Sequence, residues 1–235
     1  MNIINLLATE KKHIDAAADI FFGEKLVTYE KQNHWQRDSL QRLVGFNKRG
    51  KSVRGSLVLI IKRFLTDDIT SDDIHVALSL ELIHSGLLIH DDIMDNDRLR
   101  RGKPTLFAQY SDLLKNDELG KALAICVGDL AFFLSYDCLG KTNIIHTIPK
   151  ILQTISHEIA LVSSGQMQDI ALSIGTEKFD QEAILNVYTY KTARYTFSLP
   201  YMIGSLLSNQ TDDVTRTLEH IGMYTGLVYQ IRDEN

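Results

Sequence analysis

The sequence has little of what usually stiffens or interrupts a chain. Only 3 prolines occur in 235 residues, at positions 104, 149 and 200. Proline breaks a helix interior, so its scarcity leaves long stretches in which helices can run. The 14 glycines are scattered, and no Gly-, Ser- or Pro-rich linker divides the chain, so one domain over residues 1–235 is expected. The 2 cysteines, Cys126 and Cys138, stand too far apart for a C-x-x-C pair. A disulfide-stapled scaffold is excluded, and two buried, reduced thiols in a cytoplasmic protein are expected. Strictly apolar runs such as residues 57–61 are short, far below the ~20 residues that a membrane span needs. Basic charge is also in deficit: 25 Lys and Arg face 30 Asp and Glu, a net charge of −5. A general nucleic-acid or anionic-membrane surface is therefore not expected, although a local basic patch remains open. The opening MNIINLLATEKKH has no basic region followed by a long apolar stretch, so it does not read as a secretory signal.

What is present is helical periodicity in an ordinary globular composition, with 44% apolar and 23% charged residues, which excludes a disordered or collagen-like chain. In residues 74–95, Val76, Leu80, Ile83, Leu87 and Met94 recur at three, four or seven, as one helix stripe requires. Ile151, Ile155, Ile159 and Val162 repeat the pattern, as do Ile184, Val187 and Tyr188. Residues 56–64 fit a buried helix as well as a strand. The pattern predicts an all-α protein of about eight to ten helices, joined by polar connections near residues 66–71, 101–105, 140–143 and 175–179.

The richest chemistry lies in residues 90–105, HDDIMDNDRLRRGKPT. Asp91 and Asp95 are four apart, so their carboxylates share one helix face about a turn from each other. Acid is unfavourable there twice over, because like charges repel and a helix C-terminus is itself partly negative. A cation is expected to offset this cost. Hard oxygen donors without a His or Cys cluster suit Mg²⁺, which is commonly shared with substrate phosphates. Arg98, Arg100, Arg101 and Lys103 follow at once, and guanidinium forks match phosphate oxygens. Acid for metal beside base for phosphate describes a diphosphate site; the competing reading is a solvated, mixed-charge helix end.

Other segments point the same way. GKSVRG at residues 50–55 sets Lys51 and Arg54 on one face near a helix start, where free N–H groups also favour an anion. GQMQD at residues 165–169 places polar groups in an apolar helix, and Lys191 and Thr192 interrupt another. YQIRDEN at residues 229–235 closes an apolar helix with a second acidic cluster.

In this order the segments resemble the trans-isoprenyl diphosphate synthases, the farnesyl, geranylgeranyl and polyprenyl diphosphate synthase family, from about Arg49 to the last residue. GKSVRG resembles the family's GGKRxRP, ELIHSGLLIHDDIMDNDRLRRGKPT (Glu81–Thr105) its first aspartate-rich motif, DDxxD followed by RRG, GQMQDI its GQxxDL, the Lys191–Thr192 pair its lysine motif, and YQIRDE the start of its second aspartate-rich motif. The resemblance implies an all-α, isoprenoid-synthase-type bundle with two Asp-rich helix ends facing across a deep cavity. It implies that Asp91 and Asp95, supported by Asp92, hold Mg²⁺ on the allylic diphosphate, with Asp233 a further ligand and about three ions per site when substrate is bound. Arg100, Lys191, Thr192 and Gln230 would contact the allylic diphosphate, and Lys51, Arg54, His84 and Arg101 would hold isopentenyl diphosphate. The implied reaction ionises the allylic C–O bond, and the cation is attacked by the isopentenyl double bond in an apolar, dry lining to which Leu80, Ile83 and Leu87 could contribute. Gly86 and Leu87, one turn before Asp91, would form the cavity floor. Neither is aromatic, so a product of geranylgeranyl length (C20) or longer is expected, shortened by Gly86→Phe. Family habit implies a homodimer.

Two departures qualify the match. Ser52 stands where the family has a third cation, and Glu234 replaces the second Asp of the second motif. A C-terminally truncated portion of a longer protein is expected. A non-catalytic partner subunit of a heteromeric synthase, motivated by those departures, and a terpene cyclase, disfavoured by the Lys51, Arg54 and His84 set, are the competing functions.

Overall fold

The computed structural model describes residues 2–233. It is all-α as expected, with ten α-helices, one π-helix and one minimal hairpin among the described residues. The helices are α1 (Ile3–Tyr29), α2 (His34–Asn47), α3 (Val53–Thr66), α4 (Ser71–Met94), α5 (Leu106–Leu114), α6 (Asp117–Gly140), α7 (Ile148–Ser173), α8 (Gln181–Val187), α9 (Leu199–Leu207) and α10 (Asp212–Asp233). The π-helix Tyr188–Ser198 lies between α8 and α9, and strands β1 (Leu99–Arg100) and β2 (Lys103–Pro104) between α4 and α5. The ambiguous residues 56–64 are helical, within α3.

The chain divides into two compact units. The first comprises Met1–Glu10, Ser56–Asp73 and Asn143–Asn235, the second Lys11–Gly55 and Ile74–Thr142. In the second, Phe21 of α1, Leu40 and Leu43 of α2, Leu82 of α4 and Phe107 of α5 are buried. Asp38 accepts from Tyr110 Oη at 2.8 Å and from Arg42 Nε at 2.9 Å, which locks α2 to α5. In the first unit, the expected α7 stripe is inside at Ile151, Ile155 and Val162, with Ile159 half-buried. Pro149 falls in the first turn of α7 and Pro200 in that of α9, the positions where a missing N–H costs least.

Three expectations change here. Cys138 is buried but Cys126 is exposed, and both are free thiols. On the α4 stripe, Val76, Leu80 and Ile83 are buried while Met94 faces out. Among the described residues, α6 alone is long and apolar enough by composition to cross a membrane, although no strictly apolar run in the sequence is. Its exposed apolar side chains include Leu119, Ile125, Phe133 and Tyr136.

Candidate active site

Helix α4 begins and ends with specific backbone devices. At its start Thr70 N donates to Asp73 Oδ2 at 2.8 Å, and Asp73 N to Thr70 Oγ1 at 3.2 Å, a reciprocal capping box. At its end Asn96 adopts the left-handed conformation with φ 56°. Asp97 N then reaches Asp92 O at 2.8 Å and Asn96 N reaches Ile93 O at 3.3 Å. This is a Schellman closure, which satisfies the last carbonyls of the helix and needs a residue such as Asn at the left-handed position. The acidic cluster is thus a terminated helix end, from which the chain turns into the β1–β2 hairpin. Arg101 and Gly102 are its two turn residues, with φ of 52° and 70°, the all-positive pattern of a type I′ turn. Leu99 pairs with Pro104 and Arg100 with Lys103.

The hairpin folds Arg100 back onto the acids. Its Nε donates to Asp92 Oδ1 at 2.5 Å and its Nη2 to Asp91 Oδ2 at 3.2 Å. The cation expected to offset this cluster is therefore supplied in part by the chain itself. Asp92 is 1% exposed. Burial pushes its carboxyl up to about 6, against the pull of Arg100. Its buried Oδ2 meets no hydrogen-bond partner among the described residues, the condition of an acceptor awaiting a cation. Asp95 is exposed and Asp91 half-buried. Among the described residues no three acidic, His or Cys side chains form a ready-made metal cage. Mg²⁺ needs none, because it keeps waters and is held by one or two carboxylates plus substrate phosphates. The donor set fits that ion.

Arg98, counted from the sequence with the phosphate-matching cations, is turned elsewhere: it pairs with Asp112 at 2.8 Å and Asp117 at 3.1 Å. Arg101 Nη1 donates to Arg49 O at 2.5 Å. A small cleft is lined by Phe46, Arg49, Arg100, Arg101 and Pro104. Arg49, which the sequence reading did not single out, thus joins two expected cations. Lys51 is exposed and Arg54 half-buried. His84 is half-buried, and desolvation first, then the charges of Arg54, Arg101 and Arg100, hold it well below its ordinary value. It is a neutral imidazole in this cationic ground, able to hydrogen-bond a diphosphate but not to add charge.

The expected anion place at the start of α3 is already taken. Gly55 N donates to Glu81 Oε1 at 2.7 Å, and the Arg54 backbone N–H also favours that carboxylate. Glu81 of α4 therefore caps α3 in place of Ser52, whose φ of 50° is left-handed and whose side chain is buried. Glu81 opens the motif-bearing segment of the sequence and stands three residues before His84 on the same helix face, but its capping role is not legible there. At Gly86, the expected floor, the backbone is tightly packed. A Cβ there would lie 2.9 Å from Gly128 O and 2.9 Å from Phe132 Cε1. Gly86 is thus a close approach of α4 to α6, and Gly86→Phe would push these helices apart. Leu80 and Ile83 are buried in packed interior, and Leu87 is half-buried.

In the first unit, the GQMQD segment on α7 and the Lys191–Thr192 pair on the π-helix come together. Lys191 Nζ donates to Asp169 Oδ2 at 2.5 Å. Gln166 Nε2 is buried and meets no partner among the described residues. Thr192 and Gln230 are half-buried. The side chain of Asp233, with Glu234, lies outside the described residues. Asp169 is the acid of the GQMQD segment singled out in the sequence; the π-helix was not identified there, because a π turn has no distinctive residue pattern.

Residues 34–234 match the family model described as Polyprenyl synthetase. The chain is 30% identical over 194 residues to the geranylgeranyl diphosphate synthase of Sulfolobus acidocaldarius, covering 80% of this chain and 54% of that protein. It is 29% identical over 188 residues to the heptaprenyl diphosphate synthase component 2 of Bacillus subtilis, covering 79% of this chain and 49% of that protein. The chain spans about half the length of these curated relatives. In fold it is similar to the crystal structure of a geranylgeranyl pyrophosphate synthase from Corynebacterium glutamicum complexed with isoprenyl diphosphate and magnesium. The TM-score is 0.88 at 22% identity, covering 100% of this chain and 68% of that one.

Proposed function

Because the chain belongs to the polyprenyl synthetase family, we propose that it carries out the Mg²⁺-dependent head-to-tail condensation of isopentenyl diphosphate with an allylic diphosphate. The product is a longer trans-prenyl diphosphate of geranylgeranyl class. The observation that carries this reading is the juxtaposition in one unit of the Asp91–Asp92–Asp95 helix end, clamped by Arg100, with the cleft lined by Arg49, Arg100 and Arg101. One family model runs over residues of both units, which supports reading them as one prenyltransferase domain.

In this reading Asp91 and Asp95 hold Mg²⁺, Asp92 offers its unpartnered Oδ2, and Asp233 is a ligand from the second motif. The bound ion supplies charge neutralisation on the leaving diphosphate. The aspartates act as ligands, not as general bases. Arg49, Lys51, Arg54 and Arg101, with His84 as a neutral partner, fix isopentenyl diphosphate by charge and fork geometry. Arg100, Lys191, Thr192 and Gln230 are assigned to the allylic diphosphate. The allylic C–O bond breaks with its electron pair leaving on diphosphate. The isopentenyl double bond then forms the new C–C bond, and the proton lost from the resulting cation goes to the departing diphosphate.

On α6 the exposed residues Leu119, Ala122, Cys126, Phe133 and Tyr136 recur at three, four and seven, the spacing of a helix–helix seam. This stripe supports a homodimer. The two free thiols support a reducing, cytoplasmic compartment. Similarity to heptaprenyl diphosphate synthase component 2 favours a second reading, one subunit of a heteromeric synthase.

The test is a product assay with isopentenyl diphosphate and each of dimethylallyl, geranyl and farnesyl diphosphate, with and without Mg²⁺, read by mass. Mg²⁺-dependent elongation is expected, with geranylgeranyl diphosphate the longest main product. No product from any starter would reject a self-sufficient synthase and leave the subunit reading.

A further inference from the structure

We propose that Glu158, Arg194 and Glu219 form a positioning bracket that holds the π-helix open and thereby aims Lys191 and Thr192; this rests on the prenyl-transfer reading above. Arg194 stands three residues after Lys191 in Tyr188–Ser198. Its Nε donates to Glu158 Oε2 at 3.0 Å and its Nη2 to Glu158 Oε1 at 2.5 Å, a two-point fork onto α7. The same Nη2 donates to Glu219 Oε1 of α10 at 2.7 Å, and Ser198 Oγ donates to Glu219 O at 2.9 Å. Glu158 is 1% exposed and Arg194 14%, so solvent screens this group little.

A π-helix is wider and less favourable than an α-helix, occurs mostly as single turns, and collects at functional sites. Eleven residues of it need something to hold them. Pro200, which lacks an N–H and crowds the carbonyl four residues back, favours the irregular register just before α9. Close backbone approaches do the rest. A Cβ on Gly165 of α7 would lie 2.7 Å from Lys191 N, and one on Gly226 of α10 would lie 2.5 Å from Ala193 Cα. The segment is thus pressed from both sides at the residues that carry Lys191 and Thr192, and Arg194 ties both neighbouring helices to it. Relaxation to α geometry would shift the register by a residue, turning a side chain by about 100°. Lys191 would then lose its present aim toward Asp169. Neither glutamate belongs to the binding machinery; they act through the backbone.

Three variants test this: the double variant Glu158→Gln with Arg194→Met, which removes the buried charge at Glu158 together with its partner and leaves only the half-buried Glu219 without one, and the single variants Arg194→Lys and Glu219→Gln. For each, kcat and KM would be measured with farnesyl and isopentenyl diphosphate, alongside hydrogen–deuterium exchange. In the double variant kcat is expected to fall about a hundredfold, as a misplaced catalytic group predicts, with the KM for farnesyl diphosphate raised and that for isopentenyl diphosphate within about twofold. Exchange should accelerate over residues 188–198 and stay unchanged in α4 to α6. The single variants should fall between, because each keeps one arm of the bracket. Wild-type kinetics and wild-type exchange in a folded double variant would overturn the proposal. If that variant does not fold, the same result in both single variants would overturn it. If the wild-type chain transfers no prenyl group, the functional reading fails separately and exchange at 188–198 alone decides the bracket.

Discussion

His84 is half-buried, and its pKa is held well below the ordinary value by desolvation and by the charges of Arg54, Arg101 and Arg100. The unfolded chain takes up a proton near pH 6.5 that the folded chain refuses, so stability rises with pH through that region. The contribution is complete above pH 6.5 and is lost as the pH falls below it, by up to about 1.4 kcal/mol per pH unit. Between pH 7.5 and 5.5 the wild-type thermal midpoint should drop by roughly 3 °C on this account, and His84→Gln should remove that part of the slope. Equal slopes in the two proteins would show that His84 titrates as an ordinary surface imidazole. The sequence put His84 in the site because of its place in the motif. It could not show that the residue is neutral there, since that depends on arginines from residues 54, 100 and 101 converging on it.

At the scale of elements, the start of α3 shows one helix completing another. A helix N-terminus leaves N–H groups unsatisfied. Ser52, left-handed at φ 50°, gives way to Glu81 of α4, whose carboxylate takes the Gly55 N–H. Burial raises the Glu81 pKa and the Gly55 N–H opposes that rise. Glu81→Ala should cost about 2 kcal/mol, because it orphans buried donors. That is a loss of roughly 6 °C in thermal midpoint. Glu81→Gln, which keeps an acceptor oxygen, should lose less; an equal loss in both variants would mean that the cap contributes little and the charge is what counts. Helix positions at α4 and α7 were legible from apolar spacing. The hairpin, the π-helix and this cross-helix cap were not, because each is decided by backbone geometry and by a partner distant in sequence. Gly86 is the clearest case: a small residue in a helix reads equally as open space or as tight contact, and here α6 fills it.

For the whole molecule, the exposed stripe on α6 sets the testable property. Phe133 is 70% exposed and Tyr136 51%, with their rings in edge contact at 6.4 Å. An exposed apolar stripe of this kind calls for a partner. Sedimentation should give twice the 26.6 kDa chain mass, and Phe133→Glu should shift the population to single chains. A wild-type protein that sediments at the single-chain mass at tens of micromolar would remove the homodimer from the proposed function.

The sequence by itself determined the all-α class, the acidic helix end at Asp91 to Asp95 with its following arginines, and the family. These are local matters: a 3.6-residue period, few prolines, and charges placed within a few residues of one another. Only the tertiary structure decided which charges meet. It gave Arg100 to Asp91 and Asp92, Arg98 to Asp112 and Asp117, Lys191 to Asp169, and Arg194 to Glu158 and Glu219. Residue type fixes the strength of a charge, but its partner depends on which helices pack side by side, and that is settled by the burial of apolar faces far apart in the chain.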